Sequence, residues 1–200
     1  MIHKMRFSEI EKQHLLKAWI AISFAFAVLY SSIFSIEFIV YFIVSLLTVG
    51  LGFLLHELAH KYVAQKYGCW AEFRADDKML LFAVLFAFIG FLFAAPGAVL
   101  IYGHVTKEKN GKISIAGPAM NFILAIFFLI IILLMKSEFV ISALAFGLKT
   151  NAWIGLFNLI PVGNFDGRKI LYWNKPAYIV MAAVGIILVI TSLLGLLPGL

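Results

Sequence analysis

The chain has 200 residues, of which 64% are apolar and 13% charged, and it carries a net charge of +6. A soluble domain holds roughly 45–50% apolar and about 25% charged residues, so this composition excludes a water-soluble globule and points to an integral membrane protein. The single cysteine, Cys69, excludes an internal disulfide and is expected to be unreactive.

Residues 1–17, MIHKMRFSEIEKQHLLK, form a charged segment with no convincing small-residue cleavage site after it. It reads as a retained cytoplasmic segment, with His3 and His14 at the surface, rather than as a signal peptide. Apolar runs follow at 18–34, 38–66, 79–102, 113–135, 139–160 and 177–197. Most are near or above the ~20 residues a helix needs to cross a bilayer. Lys and Arg fall in four blocks between them: Lys4 to Lys17, Lys61 to Lys78, Lys107 to Lys112, and Arg168 to Lys175.

If all six runs cross, the third block falls on the opposite face from the second. If the 79–102 run turns back, fourteen of the sixteen Lys and Arg residues share one face, as expected when positive charge marks the cytoplasmic side. The basic residues thus act as topology signals and require no nucleic-acid partner. The run itself favours turning back: Pro96-Gly97 interrupts a helix, and a helix over 79–93 would rise only ~22 Å against a core of ~30 Å. The predicted fold is an all-α integral membrane protein of five to six transmembrane helices, one polytopic domain over 1–200 with a re-entrant helix-then-strand segment near 79–102. It would be multi-pass, with its N-terminus and active-site side cytoplasmic.

At the end of the second run stands HELAH, with His56 and His60 at i and i+4 and Glu57 beside them. On a helix the two imidazoles share a face and can reach one ion, with the carboxylate placed to take a proton from a metal-bound water; this is the zinc-protease spacing. Ionisable groups at membrane depth are costly and tend to be functional; the plainer alternative is a solvated helix end. A catalytic zinc takes three protein ligands and leaves a fourth position open. Of the ten acidic residues, nearly all besides Glu57 sit in charged segments; Asp166 differs, following an apolar run in NLIPVGNFDGRKIL. Asp166-Gly167 alone could be an ordinary turn. With five crossings, however, Asp166 ends a span on the same face as His56 and His60, whereas with six it could not share their ion.

HELAHKYVAQKYG, ISIAGPAMN and NLIPVGNFDGRKIL, in that order, resemble the site-2 protease family of intramembrane zinc metalloproteases. The resemblance covers the core from the second run to Asp166. It implies one zinc ion bound by His56, His60 and Asp166, with Glu57 as catalytic acid/base. It also implies substrate-binding roles for Asn158, holding the substrate backbone, and Asn121, facing the site. The expected partners are transmembrane protein substrates and the lipid bilayer. Because no PDZ or nucleotide-sensing domain is recognisable, regulation would come from a separate protein or a very small element. The chain departs from the family pattern at Ala59, where many relatives carry Gly, and at Gly163-Asn164-Phe165 before Asp166.

The stretch 95–102, APGAVLIY, reads as an edge strand able to receive an extended substrate, or more plainly as a packed connector. Phe82, Phe86, Phe88, Phe91 and Phe93 read as lipid-facing or packing residues, Gly117-Pro118 as a site of close helix approach, and His104 as solvated. Three other readings compete: a non-proteolytic relative that binds zinc or substrate, a membrane protease with a glutamate as third ligand, and an ion or metal transporter. The intact Glu57, the lack of a downstream Glu in an apolar run, and the clustering of polar groups at one place argue against them in turn.

Overall fold

The computed structural model describes residues 5–91 and 96–194. Helix α1 (Glu9–Tyr30) begins where Ser8 accepts a hydrogen bond from the Glu11 N–H, at 3.2 Å, a side-chain cap for an otherwise unpaired donor. The helix therefore starts within the charged segment, and residues 9–17 form its first turns instead of a separate tail. A second long helix is assembled from α2 (Glu37–Ser45), a π-helical turn over Leu46–Gly50, and α3 (Leu51–Lys66). Strand β1 (Trp70–Ala75), short helix α4 (Asp77–Phe88) and strand β2 (Gly97–Tyr102) follow. The chain then continues through α5 (Lys107–Ile132), α6 (Glu138–Asn158), α7 (Asp166–Trp173) and α8 (Lys175–Leu193).

Among the described residues, five helical segments are long and apolar enough to cross a membrane: Glu9–Tyr30, Glu37–Lys66, Lys107–Ile132, Glu138–Asn158 and Lys175–Leu193. The 79–102 run is not among them. It divides into α4 and β2, and β2 returns antiparallel along β1 in a register that sets Trp70 opposite Tyr102 and Ala75 opposite Gly97. Asp76 N–H donates to the Pro96 carbonyl at 2.9 Å, so the chain comes back to where it left. Strand β1 was not expected from the sequence. Its alternation is regular, with Ala71 and Phe73 buried and Glu72 and Arg74 on the other face, but the run is only six residues and directly follows a helix end, where Gly68, at φ +77, makes the turn.

Apolar packing between helices in lipid gains nothing from expelling water, so close approach has to hold the bundle together. Small residues provide it here: Ala125 on α5 and Ala145, Gly147, Ala152 and Gly155 on α6 are buried at their mutual contact, with Phe122 pressed onto Gly155. Outward-facing residues such as Phe34, Ile123, Ile179 and Ile187 stay exposed, as a lipid-facing surface requires. Phe82, Phe86, Phe88 and Phe91 are also exposed, in line with the lipid-facing expectation; Phe93 and Ala95 lie outside the described residues, as does His3.

Two expectations for the N-terminal segment are corrected. Glu11 is not a loop carboxylate: it is fully buried, paired with the equally buried Lys61 of α3, and accepts the Phe73 N–H of β1 at 2.9 Å. His14 is half-buried and accepts the Ala75 N–H at 3.0 Å through Nδ1. Arg6 exchanges two backbone hydrogen bonds with the Gln65 side chain, at 3.0 and 3.2 Å, and the Lys61 ammonium lies 4.3 Å from the Phe7 ring centroid. The N-terminal stretch is thus tied to α3 one turn beyond the histidines.

Leaving one charge of a buried pair without its partner costs about 3–5 kcal/mol. Lys61→Met should therefore lower the thermal unfolding midpoint in detergent markedly, whereas Lys12→Met, on the exposed Glu9–Lys12 pair, should leave it almost unchanged.

Candidate metal centre

The site is built on α3, where His56, Glu57 and His60 are all buried. Asp166 reaches them from the first residue of α7, also buried. Its Oδ2 lies 3.1 Å from His60 Nε2 and 3.5 Å from His56 Nε2, and the two Nε2 atoms are 3.0 Å apart. Three potential ligand atoms from two separate elements therefore converge on one point.

The hydrogen bonds behind the rings determine what those atoms are. His60 Nδ1–H donates to the Ile113 carbonyl at 2.8 Å, and His56 Nδ1–H donates to Asn121 Oδ1 at 2.5 Å. The Asn121 amide cannot be turned the other way, because its Nδ2 already donates to the Gly52 carbonyl at 3.2 Å and to Asn151 Oδ1 at 3.0 Å. Asn151 in turn donates to the Gly147 carbonyl at 2.9 Å. With both Nδ1 atoms acting as donors, the neutral rings present their lone pairs at Nε2.

Asp166 joins them as an anion. Its Oδ2 faces the Nε2 lone pairs of both neutral rings, a contact that no hydrogen bond relieves and that a cation would. Lys169 Nζ lies 3.6 Å from its other oxygen. Two lone pairs and a carboxylate packed together demand positive charge between them. A His₂-carboxylate set with an open fourth position is the donor arrangement of catalytic zinc, and ligands ~2.0–2.1 Å from a tetrahedral ion lie roughly 3.3 Å apart, close to the spacings here. The residues fit such an ion.

A cavity of about 610 Å³ opens onto this point, lined by His56, Glu57, His60 and Asp166, by Phe26 of α1, by Val99 of β2, and by Trp153 and Asn158 of α6. Asn158 donates to the Ile154 carbonyl at 2.9 Å and turns toward the cavity. Asn121 is placed differently: fully buried behind His56, it is not part of the lining. Gly117 does more than permit helix contact, because a Cβ there would overlap Nε2 of both His60 and His56. Asn151, fully buried, was missed by sequence reasoning; an amide within an apolar run, seven residues before Asn158, was its signal in the sequence.

His104 is exposed, as expected, and Cys69 is buried with a free thiol.

A protein of Methanocaldococcus jannaschii provisionally named a zinc metalloprotease is 44% identical to this chain over 172 residues, 84% of this chain and 87% of the relative. A second M. jannaschii protein, named a zinc metalloprotease, is 35% identical over 59% of this chain but only 30% of its own length. A Bacillus subtilis protein, also provisionally named a zinc metalloprotease, is 31% identical over 62% of this chain and 66% of its own. No protein-family profile matches the chain, and no solved structure does. Identity of this degree, over nearly the whole of both chains, makes the protein a member of the zinc metalloprotease family to which the first of these relatives belongs.

Proposed function

We propose that the protein is an intramembrane zinc endopeptidase of the site-2 protease type, cutting peptide bonds in or beside the transmembrane segments of substrate proteins. The observation that carries this reading is the convergence of His56, His60 and Asp166, with Glu57 beside them, in a cavity among membrane-spanning helices. Zinc held by those three residues would lower the pKa of water to about 7 and polarise the scissile carbonyl.

The chain's own groups do the rest. Glu57 accepts the proton of the attacking water and delivers it to the departing amine, so the peptide bond breaks with no net change in protonation. Apolar groups such as Ile22, Phe26 and Phe53 line the cavity around Glu57 and limit competing water, and strand β2 forms one side of it. A helical substrate hides its carbonyls in its own hydrogen bonds and must unwind to reach the site. Asn158 then pairs with the freed backbone, and β2 offers an edge for an extended segment. Asn121 is read as a support for His56 rather than a substrate contact. The charge blocks support a reading in which the N-terminus and the opening of the site face the cytoplasm, with α4 and β2 as a re-entrant element among five crossings.

Glu57→Gln should keep one zinc per chain and cut a reporter transmembrane peptide in proteoliposomes at least 100-fold more slowly, the scale of a lost general base. Equal cleavage by this variant and the wild type would sink the mechanism. Asp166→Asn should lose stoichiometric zinc as measured by elemental analysis after dialysis; full retention would exclude it as a ligand.

Groups that orient metal-bound histidines typically contribute 10–100-fold to metal affinity. Asn151→Leu is accordingly expected to weaken zinc binding by that factor in a chelator competition, although it touches no ligand directly. Asn151→Asp, which keeps the acceptor for Asn121, should recover part of the loss.

A further inference from the structure

Helix α6 buries most of its surface against α5, α8 and the π-helical turn. What remains exposed is one stripe, Glu138, Phe139, Ser142, Lys149, Trp153 and Phe157; Phe146 within it is half-buried, because Phe26 and Tyr30 of α1 pack edge-on against its ring at 6.0 and 5.2 Å between centroids. Steps of three and four residues put these side chains on a single face, the pattern by which one helix seats another. Lys149 stands near the middle of the span, ~16 Å from Glu138 and ~14 Å from Asn158 at 1.5 Å per residue. Its stem spans less than half of either distance, so snorkelling does not bring the ammonium to water if α6 crosses the bilayer.

A cation facing lipid at this depth is among the costliest placements a membrane chain can make. Among the described residues no acidic group pairs with Lys149. A second copy of the chain does not supply one at that level either. Glu9, Glu37, Glu108 and Glu138 sit in the first turns of their helices, Glu11 is held by Lys61, Glu72 by Arg74 and Asp77 by Lys17, Asp76 caps α4, Asp166 joins the histidines, and Glu57 lines the cavity. The stripe also leads somewhere, since Trp153 and Phe157 at its far end line the metal cavity.

We propose that this stripe is the docking face for the substrate's transmembrane segment, and that Lys149 selects segments bearing a carboxylate at mid-membrane depth. This rests on the protease reading of the cavity. The carboxylate would sit about six to nine residues from the scissile bond, the range between a partly extended and a fully helical path from Lys149 to Asn158. Pairing with Lys149 would neutralise both charges in lipid and hold the segment in register while its end unwinds at the site.

The test uses synthetic 21-residue Leu/Ala transmembrane peptides, each with one Glu moved position by position along the segment, and the full chain with zinc in proteoliposomes. The expected result is a cleavage optimum for Glu in one register, at least tenfold above the all-Leu/Ala peptide. That ratio should survive in Lys149→Arg, collapse in Lys149→Met, and pass to Lys-bearing peptides in Lys149→Glu. A flat scan, or an optimum that persists in Lys149→Met, overturns the proposal.

Docking is read without hydrolysis by disulfide trapping of a Cys-bearing peptide on Ser142→Cys, in a Glu57→Gln, Cys69→Ala background. Trapping that favours the Glu peptide supports the docking face even if the wild type cuts no peptide, an outcome that would sink the protease reading alone. Trapping of a second copy in preference to the peptide overturns the docking face.

Discussion

Two imidazoles one helical turn apart can address a single ion only if the far nitrogen of each ring is held, because a ring free to turn presents either nitrogen or neither. In this protein the anchors come from outside the helix that carries the histidines. A carbonyl of α5 fixes His60, and an amide of α5, itself fixed by an amide of α6, fixes His56. The metal centre is therefore a property of three helices packed at one depth. That explains why buried amides appear on helices that otherwise read as plain apolar spans.

The π-helical turn between α2 and α3 belongs to the same constraint. A π turn inserts an extra residue into a helix and rotates everything after it. Trp19 donates to the Leu46 carbonyl at 3.0 Å, and Gly50 lies so close to Ser23 and Trp19 that a side chain there would collide with them. The turn is thus locked from α1, a few residues before His56. Helix α1 contributes no ligand, yet it sets the rotation of the helix that supplies two of them.

Much of this was legible in the sequence, and the boundary falls where chemistry gives way to partners. HELAH reveals itself through spacing, and Asp166 through its position after an apolar run, combined with a charge count that only one topology satisfies. The second long helix, expected at 38–66, lies at 37–66. By contrast, Glu11 looked like one more charge in a polar segment, because a lysine fifty residues away is invisible to local pattern. Strand β1 was hidden for the same reason: WAEFRA becomes a strand when GAVLIY lies beside it. Asn121 was noticed, but only three-dimensional placement distinguishes an amide that meets a cavity from one that stands behind a ligand.

The attachment of the first described residues to α3 has a practical side. Phe7 is stacked under the Lys61 ammonium and Arg6 is laced to Gln65, within about a turn of His60. Arg6 and Phe7 are thus pinned to the flank of the helix that carries the histidines. A substitution at either residue would therefore be felt by the same helix that aims the imidazoles, although neither touches the site.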